Sequence, residues 1–338
     1  MTETTNHRDR AEWRAIDSPT DKTLLGVVET VRGPYAVGED GVVLARDETG
    51  WTTVIGAGPA TDRNRLTCVA VTPDRERCWF AGDSGALGMY DTTSGRKYDY
   101  TAPMEKTSTW EAIAVAGTPD DERLCVANGS GELLPIGFDD RGCPQYGAVT
   151  EPGGGSTITA LAADASACYA ADTSGGVFAT ADEEWVQIGV DCAQVNFHGV
   201  CATDGSLLVG GGDGMLYRYD RACGNWTPLS VGEAAVYAIA TDEHAAGDDD
   251  GVRAVAVGES GAIIERTPDR GWHGVDSPTD ADLWGIALGA TDVAVGEDGT
   301  ILEHETRHMH ERTTPRRSEN DDARSNGGRP PVSEATDE

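Results

Sequence analysis

Residues 36–51 read AVGEDGVVLARDETGW, and residues 256–272 read AVGESGAIIERTPDRGW. In both, an apolar run stops at a Gly-Glu-x-Gly turn, restarts as a second apolar run and ends before a Gly-Trp pair. Glycine in such a turn supplies the positive φ that a tight reversal needs. Working outward, equivalent closing glycines stand at Gly41, Gly85, Gly131, Gly175, Gly214, Gly261 and Gly299, between 38 and 47 residues apart. A repeat of this size built from short strands matches one four-stranded blade. The expected fold is all-β, a seven-bladed β-propeller of four-stranded blades.

The first repeat shows the anatomy. Leu24-Leu25-Gly26-Val27-Val28 reads as a buried strand, Tyr35-Ala36-Val37-Gly38 as a second and Val42-Val43-Leu44-Ala45 as a third; a fourth begins at Trp51. Aligned across the chain, the first strands open on Leu24, Leu66, Trp110, Ile158, Phe197, Val236 and Leu283. Two positions later stands a small residue: Gly26, Cys68, Ala112, Ala160, Gly199, Ala238 or Gly285. An aliphatic follows: Val27, Val69, Ile113, Leu161, Val200, Ile239 or Ile286. Neighbouring blades cover both faces, so near-continuous apolar strands are expected, with small residues where strands crowd at the axis. An aromatic marks the outer strand at Trp51, Tyr98, Tyr146, Trp185, Trp226 and Trp272.

The seventh repeat lacks that aromatic, whereas Trp13 has no repeat of its own. WRAIDSPTDKTLLGV (13–27) parallels WHGVDSPTDADLWGI (272–286), which equates Trp13 with Trp272. Residues 12–17 are therefore expected to complete the last blade, closing the ring by pairing an N-terminal strand with it and removing an open sheet edge. The domain plan is a flexible N-terminus (1–10), the propeller (11–306) and a disordered polar tail (307–338), whose charge, Pro, Gly and Ser lack periodicity.

Asp and Glu number 58 against 26 Lys and Arg, a net charge of −32, and only Lys22, Lys97 and Lys106 are lysines. Such self-repulsion destabilises a compact state unless salt screens it; in molar salt the Debye length falls to roughly 3 Å. A cytosol at molar salt, as in extreme halophiles, is the simplest account. So acidic a surface argues against nucleic acid. The start MTETTNHRDR has no apolar targeting core, and no stretch nears membrane-spanning length, so a soluble cytoplasmic chain without membrane insertion is expected. None of the eight cysteines forms a Cys-x-x-Cys pair; Cys68, Cys78, Cys125, Cys168 and Cys201 fall in apolar runs and read as free buried thiols.

The two quoted repeats resemble those of the photosystem II assembly factor propellers and, more broadly, the bacterial-neuraminidase-repeat (Asp-box) propellers, here of haloarchaeal type. Thr267-Pro268-Asp269-Arg270-Gly271-Trp272 comes nearest to the Ser/Thr-x-Asp-x-Gly-x-x-Trp turn, one residue short before the tryptophan. The resemblance implies an interaction platform or assembly factor. The photosystem role itself does not carry over, since its partner sits in a photosynthetic membrane.

Sialidase-type hydrolysis on this architecture needs three arginines clamping a carboxylate, a nucleophilic Tyr with a Glu, and an acid. The arginines here lie mainly in outer turns (Arg46, Arg63, Arg75, Arg77, Arg96, Arg123, Arg141, Arg270), with Arg65 best placed near an inner strand. Nucleophile elbow, P-loop and zinc-helix motifs are absent. Gly153-Gly154-Gly155 and Gly210-Gly211-Gly212 read as loop and turn elements. His304, His308 and His310 lack the Cys or carboxylate cage of a metal site, and no metal or cofactor is expected. One column remains. Leu25, Thr67, Glu111, Thr159, His198, Tyr237 and Trp284 sit between the opening residue and the small one. If strand starts line one mouth of the channel, these form a polar and aromatic ring, a composition common in binding hot spots; packing between blades is the competing role. Thr67, Glu111, Thr159, His198, Tyr237 and Trp284 are the candidate partner-binding residues of a monomeric, non-enzymatic protein-binding scaffold. The alternative is a sialidase-like glycoside hydrolase or lyase acting in the channel.

Overall fold

The computed structural model describes residues 12–57, 61–118, 121–181, 184–190, 194–203, 205–242 and 252–305. The expected flexible N-terminus and polar tail, with His308 and His310, lie outside them. Seven antiparallel sheets of four strands form the ring. In the first blade the strands are Leu24–Thr30, Gly33–Gly38, Val43–Asp47 and Gly50–Ile55, paired in chain order. The next five blades repeat this order from inner strands opening at Leu66, Trp110, Ile158, Phe197 and Val236. The seventh consists of Leu283–Ala287, Thr291–Gly296, Ile301–Glu305 and Arg14–Ala15. In that last pairing Arg14 stands opposite Glu303, and the Ile16 amide donates to the Ile301 carbonyl at 2.9 Å.

The seven closing glycines all have positive φ, from +71° to +84°. At Gly41 the preceding Asp40 is also left-handed (φ 55°, ψ 20°), and the Val42 amide returns to the Glu39 carbonyl at 3.2 Å. Two consecutive left-handed residues make a type I′ turn, whose twist suits a two-residue hairpin. Space imposes the same choice at Gly299, where a Cβ would stand 2.1 Å from the Thr20 carbonyl of the connection into the first blade.

Burial follows the alignment of the columns. All seven opening residues are completely buried, at 0% exposure. The small residues lie where inner strands touch: a Cβ on Gly26 would meet Val69 of the second blade, and one on Gly199 would meet the Tyr237 carbonyl of the sixth. The core is accordingly seven separate apolar layers, one between each adjacent pair of blades. Between the first two blades, for instance, Tyr35, Val37, Val43 and Ile55 pack on Leu66, Cys78 and Phe80. Full burial of one such side chain contributes roughly 1.5–3 kcal/mol.

Outer-strand tryptophans tie three blades to the one before, the fifth through the Trp226 indole, which donates to the Ile188 carbonyl at 2.8 Å. The Trp51 indole donates to Glu303 of the seventh blade at 2.9 Å, and Arg46 holds the same carboxylate at 2.6 and 3.0 Å. Trp13 donates to Glu265 of the sixth blade at 3.3 Å and stacks on His304 at 5.2 Å. His304 in turn faces the fully buried Asp292 at 3.0 Å, which Arg253 approaches to 2.7 Å. Gly210 and Gly211 are not turn residues, as their composition suggested; they end the strand Ser206–Gly211. Crowding explains them, since a Cβ on Gly210 would lie 2.9 Å from the Val236 carbonyl of the next inner strand. The seven described cysteines are free thiols; burial pushes that of Cys68 up to about 12.

Candidate axial binding site

All seven residues of the column between the opening and small residues line one cavity of about 330 Å³ at the axis. The device that places them is a β-bulge. In every inner strand the register slips across this column, between Leu24 and Gly26 in the first blade and between Leu283 and Gly285 in the last. The same slip recurs in the other five blades. The intervening residue has no ladder partner, and a bulge re-aims its side chain. An unbroken strand would turn this residue away from both neighbours by simple alternation; here a bulge sets its direction instead. Each of the seven is half-buried beside a fully buried neighbour. Below them the aliphatic column, from Val27 round to Ile286, gives the deeper part of the cavity an apolar lining.

Six of the seven side chains fall into two arcs, with Leu25 as the seventh. On the fifth to seventh blades, His198 meets Tyr237 edge to face at 5.4 Å, and Tyr237 stacks flat on Trp284 at 4.3 Å and 6°. Burial lowers the pKa of His198, which favours the neutral imidazole. On the opposite arc stand Thr67, Glu111 and Thr159, with the exposed Arg65 beside them. Burial raises the Glu111 pKa, an effect opposed by Arg65 and reinforced by Asp83. The threonines turn to the fold. Thr159 Oγ1–H donates to the Phe197 carbonyl of the next blade at 2.5 Å, and Thr67 makes the matching bond to the Trp110 carbonyl. Both threonines thus use their hydroxyls to join neighbouring inner strands.

Carboxylates rim the aromatic arc. Glu259 Oε2 accepts the Ala235 amide at 3.3 Å and Glu297 Oε2 the Asp282 amide at 3.5 Å, which holds both beside the starts of inner strands. Asp282 Oδ1 accepts the Ser260 amide at 2.7 Å. Burial and the charges of Asp282, Glu259 and Glu297 together raise the Tyr237 pKa. This rim was missed at the sequence level, although the Gly-Glu-x-Gly turn that carries Glu259 and Glu297 was in plain view.

The other end of the axis holds a larger cavity, about 980 Å³, lined by Glu29, Arg75, Asp164 and Asp242 among aliphatic residues. Burial raises the Glu29 pKa to about 7, against the opposing pull of Arg75 and Arg46. The signal was legible: Glu29 stands where the other inner strands carry Val71, Val115, Ala163, Ala202, Thr241 and Leu288. Of the described residues lining the two cavities, the arginines are Arg65 at one end and Arg75 at the other. The three-arginine clamp of sialidase chemistry is thus not assembled among them. No group of His, Cys, Asp and Glu arranged to hold a metal occurs among the described residues, and no helix there is long and apolar enough to cross a membrane.

No protein-family profile and no curated protein sequence matches the chain. Solved structures do. The structure of U3-55K aligns with a TM-score of 0.69 at 11% identity, over 88% of this chain and 100% of that one. YCF48 bound to D1 peptide aligns at 0.67 and 16%, over 88% and 98%. The WD40 β-propeller domain of Doa1 aligns at 0.67 and 12%, over 88% and 98%. At these identities the likeness establishes the seven-bladed propeller fold, shared with WD40 and YCF48 propellers, and nothing finer.

Proposed function

We propose that this chain is a non-enzymatic scaffold or assembly factor, monomeric in a high-salt cytosol, which holds a protein partner at the axial mouth ringed by Thr67, Glu111, Thr159, His198, Tyr237 and Trp284. One observation carries the reading. Seven bulges, one per blade, direct seven side chains of six different types into a single cavity, whereas a ring that only had to close could use the same small residue in each. The propeller bound to a D1 peptide offers an analogy for a peptide-holding ring. Rings of aromatic and polar groups around a concave site favour recognition, because aromatics with a polar handle combine area with orientation.

The test is partner recovery by cross-linking in molar KCl, with Glu111→Ala, His198→Ala and Trp284→Ala compared with the parent chain. Each variant should keep its melting profile, since each side chain is half-buried, yet recover less partner. Undiminished recovery by all three removes this mouth as the binding face.

A further inference from the structure

We infer that the occupant of this mouth is an arginine side chain presented by the partner polypeptide, its guanidinium lying against the Tyr237–Trp284 arc; this rests on the scaffold reading above. Three independent features lead there. The aromatic arc is continuous, His198 perpendicular to Tyr237 and Tyr237 flat on Trp284. The negative faces of such rings attract a cation, most strongly when it is partly desolvated. Next, Asp282, Glu259 and Glu297 all bear on Tyr237, so the arc lies in a negative field, and Glu111 adds a fourth carboxylate across the cavity. Among the described residues the one cation lining the mouth, Arg65, stands on the opposite arc beside Glu111, away from the aromatic side. An acidic or neutral ligand would have to displace water from these carboxylates without replacing the hydrogen bonds.

Size and shape narrow the choice. About 330 Å³ lies at the low end of ligand pockets, room for one long side chain and not for a folded loop. The methylenes of an entering side chain pass the rim, the guanidinium at its far end reaches the Tyr237–Trp284 arc, and the aliphatic residues beyond limit how deep it goes. A planar, weakly hydrated guanidinium stacks on an aromatic face and pairs with carboxylates, which a compact ammonium does less well.

The experiment is calorimetric titration of the full chain, in molar KCl, with the blocked pentapeptide Gly-Gly-Arg-Gly-Gly and with its citrulline counterpart, neutral and nearly isosteric. The arginine peptide should bind and the citrulline peptide should bind about tenfold more weakly or worse. Glu259→Gln and Asp282→Asn, which keep the carbonyl acceptors for Ala235 and Ser260, should each weaken arginine binding severalfold. Trp284→Ala should abolish it, and Trp284→Phe should retain most of it. Equal affinity for the two peptides, tighter binding of an aspartate peptide, or no arginine binding at millimolar concentration overturns the inference. If partner recovery still depends on Glu111, His198 and Trp284 while arginine and citrulline peptides behave alike, the scaffold reading stands and the arginine does not. If recovery is indifferent to all three, the binding face itself falls.

Discussion

Glu29 shows how one residue can be set against its surroundings. It is the one carboxylate in its inner-strand column, half-buried in the larger cavity, with one oxygen buried and unpaired. Its pKa rises from the usual 4.5 to about 7 because burial disfavours the charge. The folded state therefore keeps a proton that the unfolded chain has already released. Its contribution is fully present below about 4.5 and is lost as pH climbs through about 7. Glu29→Gln should match the parent chain's stability near the lower limit and exceed it at pH 8. The gain should be about 1–2 kcal/mol once solvent on the exposed side of the carboxylate is allowed for. Urea midpoints at the two pH values check this; a difference that does not change with pH contradicts it. Cys68, Thr67 and Thr159 carry the opposite lesson, since their polar atoms are absorbed by neighbouring carbonyls.

Among elements, the two-residue strand Arg14–Ala15 is the weakest by backbone pairing alone. Side chains hold it. Trp13 is buried to 6% exposure, stacks on His304 and donates to Glu265, so it bridges the last two blades at the join between the chain ends. Trp13→Ala should lower stability by about 3–5 kcal/mol, the range for removing a buried tryptophan. Trp272→Ala, at the corresponding but half-buried position, should cost less. Thermal melts of both variants decide; a loss at Trp13 no larger than at Trp272 contradicts the bridging role. The match of residues 13–27 to 272–286 made the pairing readable, because two similar sequences ask for similar surroundings. The buried cluster behind it was not readable. Arg253, Asp292 and His304 come from three different strand regions of two blades, and no spacing announces that they meet.

The whole chain carries a net charge of −32, and the apolar core of its ring is divided into seven layers. Mutual repulsion acts across every blade and weakens as salt shortens its range. The urea midpoint should rise steeply from dilute buffer to molar KCl, by more than for a chain of balanced charge; equal stability in both contradicts the high-salt proposal. Periodic glycines, apolar strand openings and small residues at the axis determined the ring and its count of blades, because each repeat meets the same neighbours and so needs the same residue types. The column from Leu25 to Trp284 could also be picked out, since it varies where its flanks do not. Only the tertiary structure decided what that column does in space. The bulges that turn it inward arise where seven strands converge on one axis, and side chains about 40 residues apart share a cavity only through that convergence, which no single repeat encodes.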